Sequence, residues 1–116
     1  MKEYEVQLSQ ELFQIKIEIE NEFRKGNKVN SEFYSLINKA IDFLKSSRRG
    51  ESISKKLPIF RYFENKYGIN NLYLIKLSRE ARALYTYVSQ EKFKILQIIL
   101  EIYNSHKEYE KVGGYN

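Results

Sequence analysis

Leu72-Tyr-Leu-Ile-Lys-Leu-Ser-Arg-Glu-Ala-Arg-Ala-Leu-Tyr-Thr-Tyr-Val-Ser-Gln-Glu-Lys-Phe-Lys-Ile-Leu-Gln-Ile-Ile-Leu-Glu-Ile-Tyr103 is the stretch whose reading decides the fold. Leu72 to Leu77 is strand-like, and Ala83 to Val88 is rich in β-formers. Ser89-Gln90-Glu91-Lys92 reads as a turn, and Phe93 to Tyr103 as a long apolar strand. Short connections make the three an antiparallel meander. Strict alternation puts Leu96, Ile98, Leu100 and Ile102 on one apolar face of the last strand. Phe93, Ile95, Gln97, Ile99, Glu101 and Tyr103 fall on the other, amphipathic face. The apolar face suits helices packed on it.

Upstream of residue 70 the period is different. Tyr4, Val6 and Leu8 alternate with polar neighbours as in a short half-buried strand. Ser9 caps a helix over about residues 10–25, which stops at Gly26. Asn30 or Ser31 caps a second helix over 31–46, in which Phe33, Ile37, Ala40, Ile41 and Leu44 recur at helical spacing. The short link between them predicts an antiparallel helical hairpin. Residues 50–70 hold Pro58, Gly50 and Gly68 and read as a loop or short irregular element rich in aromatic and basic residues. The predicted fold class is therefore α+β: an N-terminal strand and a helical hairpin packed on one face of an antiparallel sheet of about four strands. The 116 residues suit a single domain, 1–116.

Composition excludes several chemistries. With no Cys and one His, there is no disulfide scaffold, thiolate zinc site or cysteine nucleophile. No metal site and no cofactor is expected, and no Gly-rich phosphate cradle is present. No apolar run approaches the ~18 residues of a membrane span, and the first residues lack the apolar segment of a secretory signal. The expectation is a cytoplasmic protein without membrane contact. Charge is unevenly placed. Between Lys45 and Lys66 stand seven basic residues against Glu51 and Glu64, a surplus of five that equals the net +5 of the whole chain. Such a segment is an electrostatic footprint for a polyanion; a solvated charged loop would have the same composition.

Residues 71–87 hold an Arg that leads into an Arg-apolar-apolar-Tyr strand, Arg82 to Tyr85. The chain then ends near Ser-His-Lys-Glu-Tyr-Glu-Lys, residues 105–111, and carries Gly50, Lys55-Lys56-Leu57-Pro58 and Tyr67-Gly68 upstream. In element order and in these motifs the sequence resembles the RelE/ParE toxin superfamily, in particular RelE-like members with a His-Lys-Glu-Tyr ending. It departs from many relatives in having Glu80-Ala81 where they have a Gly before the Arg, which bears on the shape of that turn.

The resemblance implies the toxin of a toxin–antitoxin pair, silenced by an antitoxin protein. It implies an endoribonuclease that cuts messenger RNA without a metal, at the ribosome, and so inhibits translation. The 2′-hydroxyl attacks the adjacent phosphate, leaving a cyclic phosphate and a 5′-hydroxyl. That reaction needs a base, a cation for the charge on phosphorus, and an acid for the leaving oxygen. Arg82 would clamp the phosphate; a salt-bridged sheet-edge Arg is the alternative. His106, the lone imidazole, would transfer the proton, or else serve as a capping or packing residue. Lys76 would add charge beside Arg82. Lys107 and Tyr109 stand where related toxins place a cation and a stacking or acid Tyr. Lys55, Lys56, Arg61, Arg48 and Arg49 would contact the RNA backbone. Two other functions fit the same fold: a ParE-like toxin that inhibits a topoisomerase by binding, and a regulator that binds nucleic acid and cuts nothing.

Overall fold

The computed structural model describes residues 3–105, 108, 109 and 111. Strand β1, Glu3–Leu8, runs into helix α1, Gln10–Arg24. Ser9 makes the junction: its Oγ accepts the N–H of Leu12 (3.3 Å) and donates to the carbonyl of Leu100 (2.8 Å), so one hydroxyl caps the helix and pins it to the sheet. Gly26, at φ +86°, ends the helix as expected. Helix α2, Ser31–Lys45, buries Ile37, Ala40 and Leu44 at the spacing read from the sequence. Then come strand β2, Glu51–Ser52, helix α3, Pro58–Tyr67, and strands β3, Tyr73–Lys76, β4, Arg82–Glu91, and β5, Lys94–Tyr103.

The predicted meander is present, since β3 pairs β4 and β4 pairs β5 antiparallel. The sheet is larger and less uniform than expected: five strands, in the order β1-β5-β4-β3-β2. β1 lies beside β5 and runs parallel to it. No hairpin joins these two strands, so nothing forces them antiparallel; the chain between them is far longer than a parallel crossover requires.

Residues 50–70 are not a loop. α3 occupies half of them, and β2 adds a short edge strand. Pro58 sits at the first turn of α3, where its missing N–H costs nothing, and Gly68 closes it in the left-handed region at φ +67°. The two residues mark the ends of a helix.

The hydrophobic core lies on both faces of the sheet. On one, Leu12 of α1 and Ile37, Ala40 and Leu44 of α2 pack against Ile75, Ala83, Tyr85, Ile99 and Ile102. On the other, Ile59, Phe60 and Phe63 of α3 pack against Leu72, Leu74, Leu84, Leu100 and Tyr103. Leu12 and α2 pack on one face, α1 also reaches Lys66 of α3 through Glu11, and α3 covers part of the opposite face. The predicted face of the last strand is broken. Leu84 pairs with Glu101 while Tyr85 pairs with Ile99, so Leu100 is an extra residue in β5. This bulge reverses the alternation, and Ile102 joins Ile99 on the hairpin side. The turn between β4 and β5 also falls later than expected, at Lys92-Phe93, because β4 extends through Ser89 to Glu91 with a second irregularity.

Candidate functional site

Lys76, Arg82 and Tyr103 are register partners across β3, β4 and β5. Directly opposed residues share a face, and this row continues the one formed by Leu74 and Leu84, which pack against α3. Two cations and a tyrosine thus stand side by side at one end of the sheet. Tyr109 closes the row, its ring 6.4 Å from that of Tyr103.

The turn before Arg82 is shaped without glycine. Ser78 Oγ accepts the N–H groups of Ala81 (2.9 Å) and Glu80 (3.3 Å), and Leu77 N–H bonds to the Ala81 carbonyl (3.0 Å). A serine turn does here what glycine does elsewhere. Arg82 folds back onto it: Nη1 donates to the carbonyls of Ser78, Ala81 and Arg79 at 2.9, 3.0 and 3.2 Å. The hydrogen bonds seen among the described residues all use this one nitrogen. The turn carbonyls thereby orient the guanidinium, whose Nε and Nη2 make none of the hydrogen bonds seen among the described residues. No carboxylate pairs with it among the described residues. Lys76 is exposed and 3.5 Å from Glu51 across the sheet edge.

Beside the row is a polar network whose anchor, Glu101, is invisible to sequence reading. The Glu101 carboxylate receives Tyr67 Oη (2.6 Å), Tyr103 Oη (2.6 Å) and Lys66 Nζ (2.8 Å). Burial works to raise the Glu101 pKa, but these three donors outweigh it and hold the carboxyl below its ordinary value. Burial and the bond to Glu101 push the Tyr103 hydroxyl well up, so this phenol keeps its proton. The hydrogen bond to Glu101 likewise raises Lys66, which remains a cation. Lys66 also reaches Glu11 (3.4 Å) and so ties α3 to α1.

The basic stretch read as one RNA-contacting unit is divided by the sheet. Lys55, Lys56 and Arg61 are exposed on α3 and the segment leading into it, on the side of the Lys76–Arg82 row. Arg48 and Arg49 line a cavity with Tyr73, Tyr85 and Tyr87, on the side of the helical hairpin. His106 and Lys107 lie outside the described residues. Among the described residues no group of His, Asp or Glu is arranged to hold a metal ion, and no helix is long and apolar enough to cross a membrane.

Comparison with known proteins returns nothing: no family model, no curated protein and no solved structure matches the chain.

Proposed function

We propose that this chain is a RelE-class toxin, an endoribonuclease that cuts messenger RNA by attack of a ribose 2′-hydroxyl on the adjacent phosphate. The observation that supports the reading is the pairing of Lys76 with Arg82 beside Tyr103 and Tyr109, on the side of the sheet that also carries Lys55, Lys56 and Arg61. The exposed cations hold the RNA backbone. Arg82, fixed by the turn carbonyls, meets the phosphate and stabilises the charge that grows on its oxygens. Lys76 adds positive charge next to it. His106 takes the proton of the attacking hydroxyl, and Tyr109 or Lys107 serves the leaving 5′-oxygen. The enzyme acts in the cytoplasm at the ribosome, and an antitoxin protein covers the basic face until it is needed.

The test is inducible expression followed by mapping of RNA ends. The reading expects growth arrest and new ends bearing 5′-hydroxyls, with both lost in Arg82→Ala. Arrest without new RNA ends would favour the ParE-like reading. The spread of basic residues over both sheet faces favours one further alternative, a binder that cuts nothing, which predicts salt-dependent RNA retention and intact RNA.

A further inference from the structure

A cavity of about 260 Å³ opens on the hairpin side of the sheet, beyond the end of α2. Ile95 and Gln97 of β5 form its floor, between Tyr4 of β1 and Tyr87 and Ser89 of β4. The Ser47–Arg49 segment forms the rim. The rim is held at both ends. Ser47 turns out of α2 in the left-handed region, at φ +66°. Gly50 N–H donates to Tyr85 Oη (3.0 Å), and a Cβ on Gly50 would run into the Leu74 carbonyl.

Three features of this cavity point to a ligand. The first is aromatic surface: Tyr73 and Tyr87, both half-buried, lie against each other with centroids 5.4 Å apart, backed by the buried Tyr85, which stacks on Tyr73 at the same distance. The second is positive charge without a counter-ion. Arg48 lies over the Phe43 ring and donates from Nε to Ser46 Oγ (3.0 Å), Arg49 lines the cavity beside it, and neither pairs with a carboxylate among the described residues. The third is an orphan. Gln97 is only 7% exposed, and its Oε1 has no hydrogen-bond partner. A buried acceptor left unpaired is unfavourable, and a ligand N–H brought to it offsets that cost. The terminal torsion of Gln is broad and two-fold, so either edge of the amide can turn to the cavity.

A planar ring that donates to an amide, joined to an anion, describes a nucleotide. The Gln amide sets an acceptor beside a donor, the complement of the N6 amino group and N7 of adenine. The volume lies just under the ~300–1,000 Å³ of sites for drug-sized ligands, enough for one nucleotide and not for a strand. We propose that this cavity binds a single adenine nucleotide, with the base against the tyrosines and Gln97 and the phosphate on Arg48 and Arg49. The site is independent of the RNA-cutting reading. Its occupant is either free adenylate or the 5′-terminal residue of an RNA.

The test is titration of the purified full chain with adenosine 5′-monophosphate, read by tyrosine fluorescence or calorimetry. Saturable binding is expected. Arg48→Ala with Arg49→Ala should weaken adenylate roughly tenfold or more, the scale of a lost charge-assisted contact, and leave adenosine nearly unchanged. Gln97→Met, close in shape, should remove the preference for adenylate over guanylate and uridylate. A 5′-phosphorylated oligoadenylate that binds tighter than adenylate assigns the site to an RNA end; equal or weaker binding assigns it to the free nucleotide. No saturation by either probe at ~1 mM, or equal binding by the exposed Arg48/Arg49 double variant, would overturn the proposal. That double variant carries the test even where Gln97→Met fails to fold. Adenylate has no phosphodiester to cut, so the result is separate from that of any cleavage assay.

Discussion

Glu101 receives three hydrogen bonds from two tyrosines and a lysine, and its charge is what holds them together. Its folded pKa lies below the ordinary 4.5. The stability it contributes is therefore present above about pH 4.5 and is lost as pH falls through the lower folded value. A hydrogen bond to a charged group is worth roughly 1.5–3 kcal/mol. Glu101→Gln should lower the melting temperature at neutral pH and flatten its fall in acid; superimposable pH profiles for variant and wild type would contradict this. Gly50 gives a second expectation. Its Cβ-less backbone lies against the Leu74 carbonyl and the Tyr85 ring, and a backbone atom cannot move aside cheaply. Gly50→Ala should cost about 1–3 kcal/mol in urea unfolding. At this scale the sequence was legible for residues whose chemistry shows in their type. Arg82 could be named as a candidate; Glu101 could not, because in the text it is one acid in an alternating strand. Tyr85, picked out by its motif, is buried and holds Gly50, a role set by a partner 35 residues away.

The α3 helix is the element whose signals were hardest to read. Leu57 precedes it without a side-chain cap, so the usual Ser, Thr or Asp marker is missing. What remained was Pro58 and Gly68, which mark loops as readily as helix ends, and an apolar set, Ile59, Phe60 and Phe63, too short to display a period. The same limit applies to β5. Its alternation is regular in the text, and the bulge at Leu100 comes from pairing with β4, which no single strand encodes. α2 was legible from its apolar stripe, and α1 from Ser9 and Gly26 at its ends, although Ile15, Ile17 and Ile19 within it alternate like a strand. Phe63 is fully buried between α3 and the sheet. Phe63→Ala should cost about 3–5 kcal/mol and release α3 first. Hydrogen exchange should show lost protection in residues 58–67 before the β4–β5 pair; uniform loss across the sheet would mean that α3 is not a separable unit.

Across the whole molecule, the sheet sorts charge as well as core. A stretch that reads as one basic segment sends Arg48 and Arg49 to the hairpin side and Lys55, Lys56 and Arg61 to the α3 side, because β2 pairs at the sheet edge between them. The α+β class and the meander could be read from periodicity; this division could not, since it depends on which edge the chain crosses. The Lys76–Arg82 row, by contrast, needed only strand register to assemble. The proposed site of RNA cleavage is this row. The most direct measurement is single-turnover cleavage of messenger RNA on programmed ribosomes, comparing wild type with Arg82→Ala and using circular dichroism to check the fold. Wild type should leave a cyclic phosphate and a 5′-hydroxyl without added metal, and a folded Arg82→Ala should lose about a hundredfold in rate, near 3 kcal/mol. A folded Arg82→Ala that cuts at the wild-type rate, or a wild type that leaves the message intact, would contradict this.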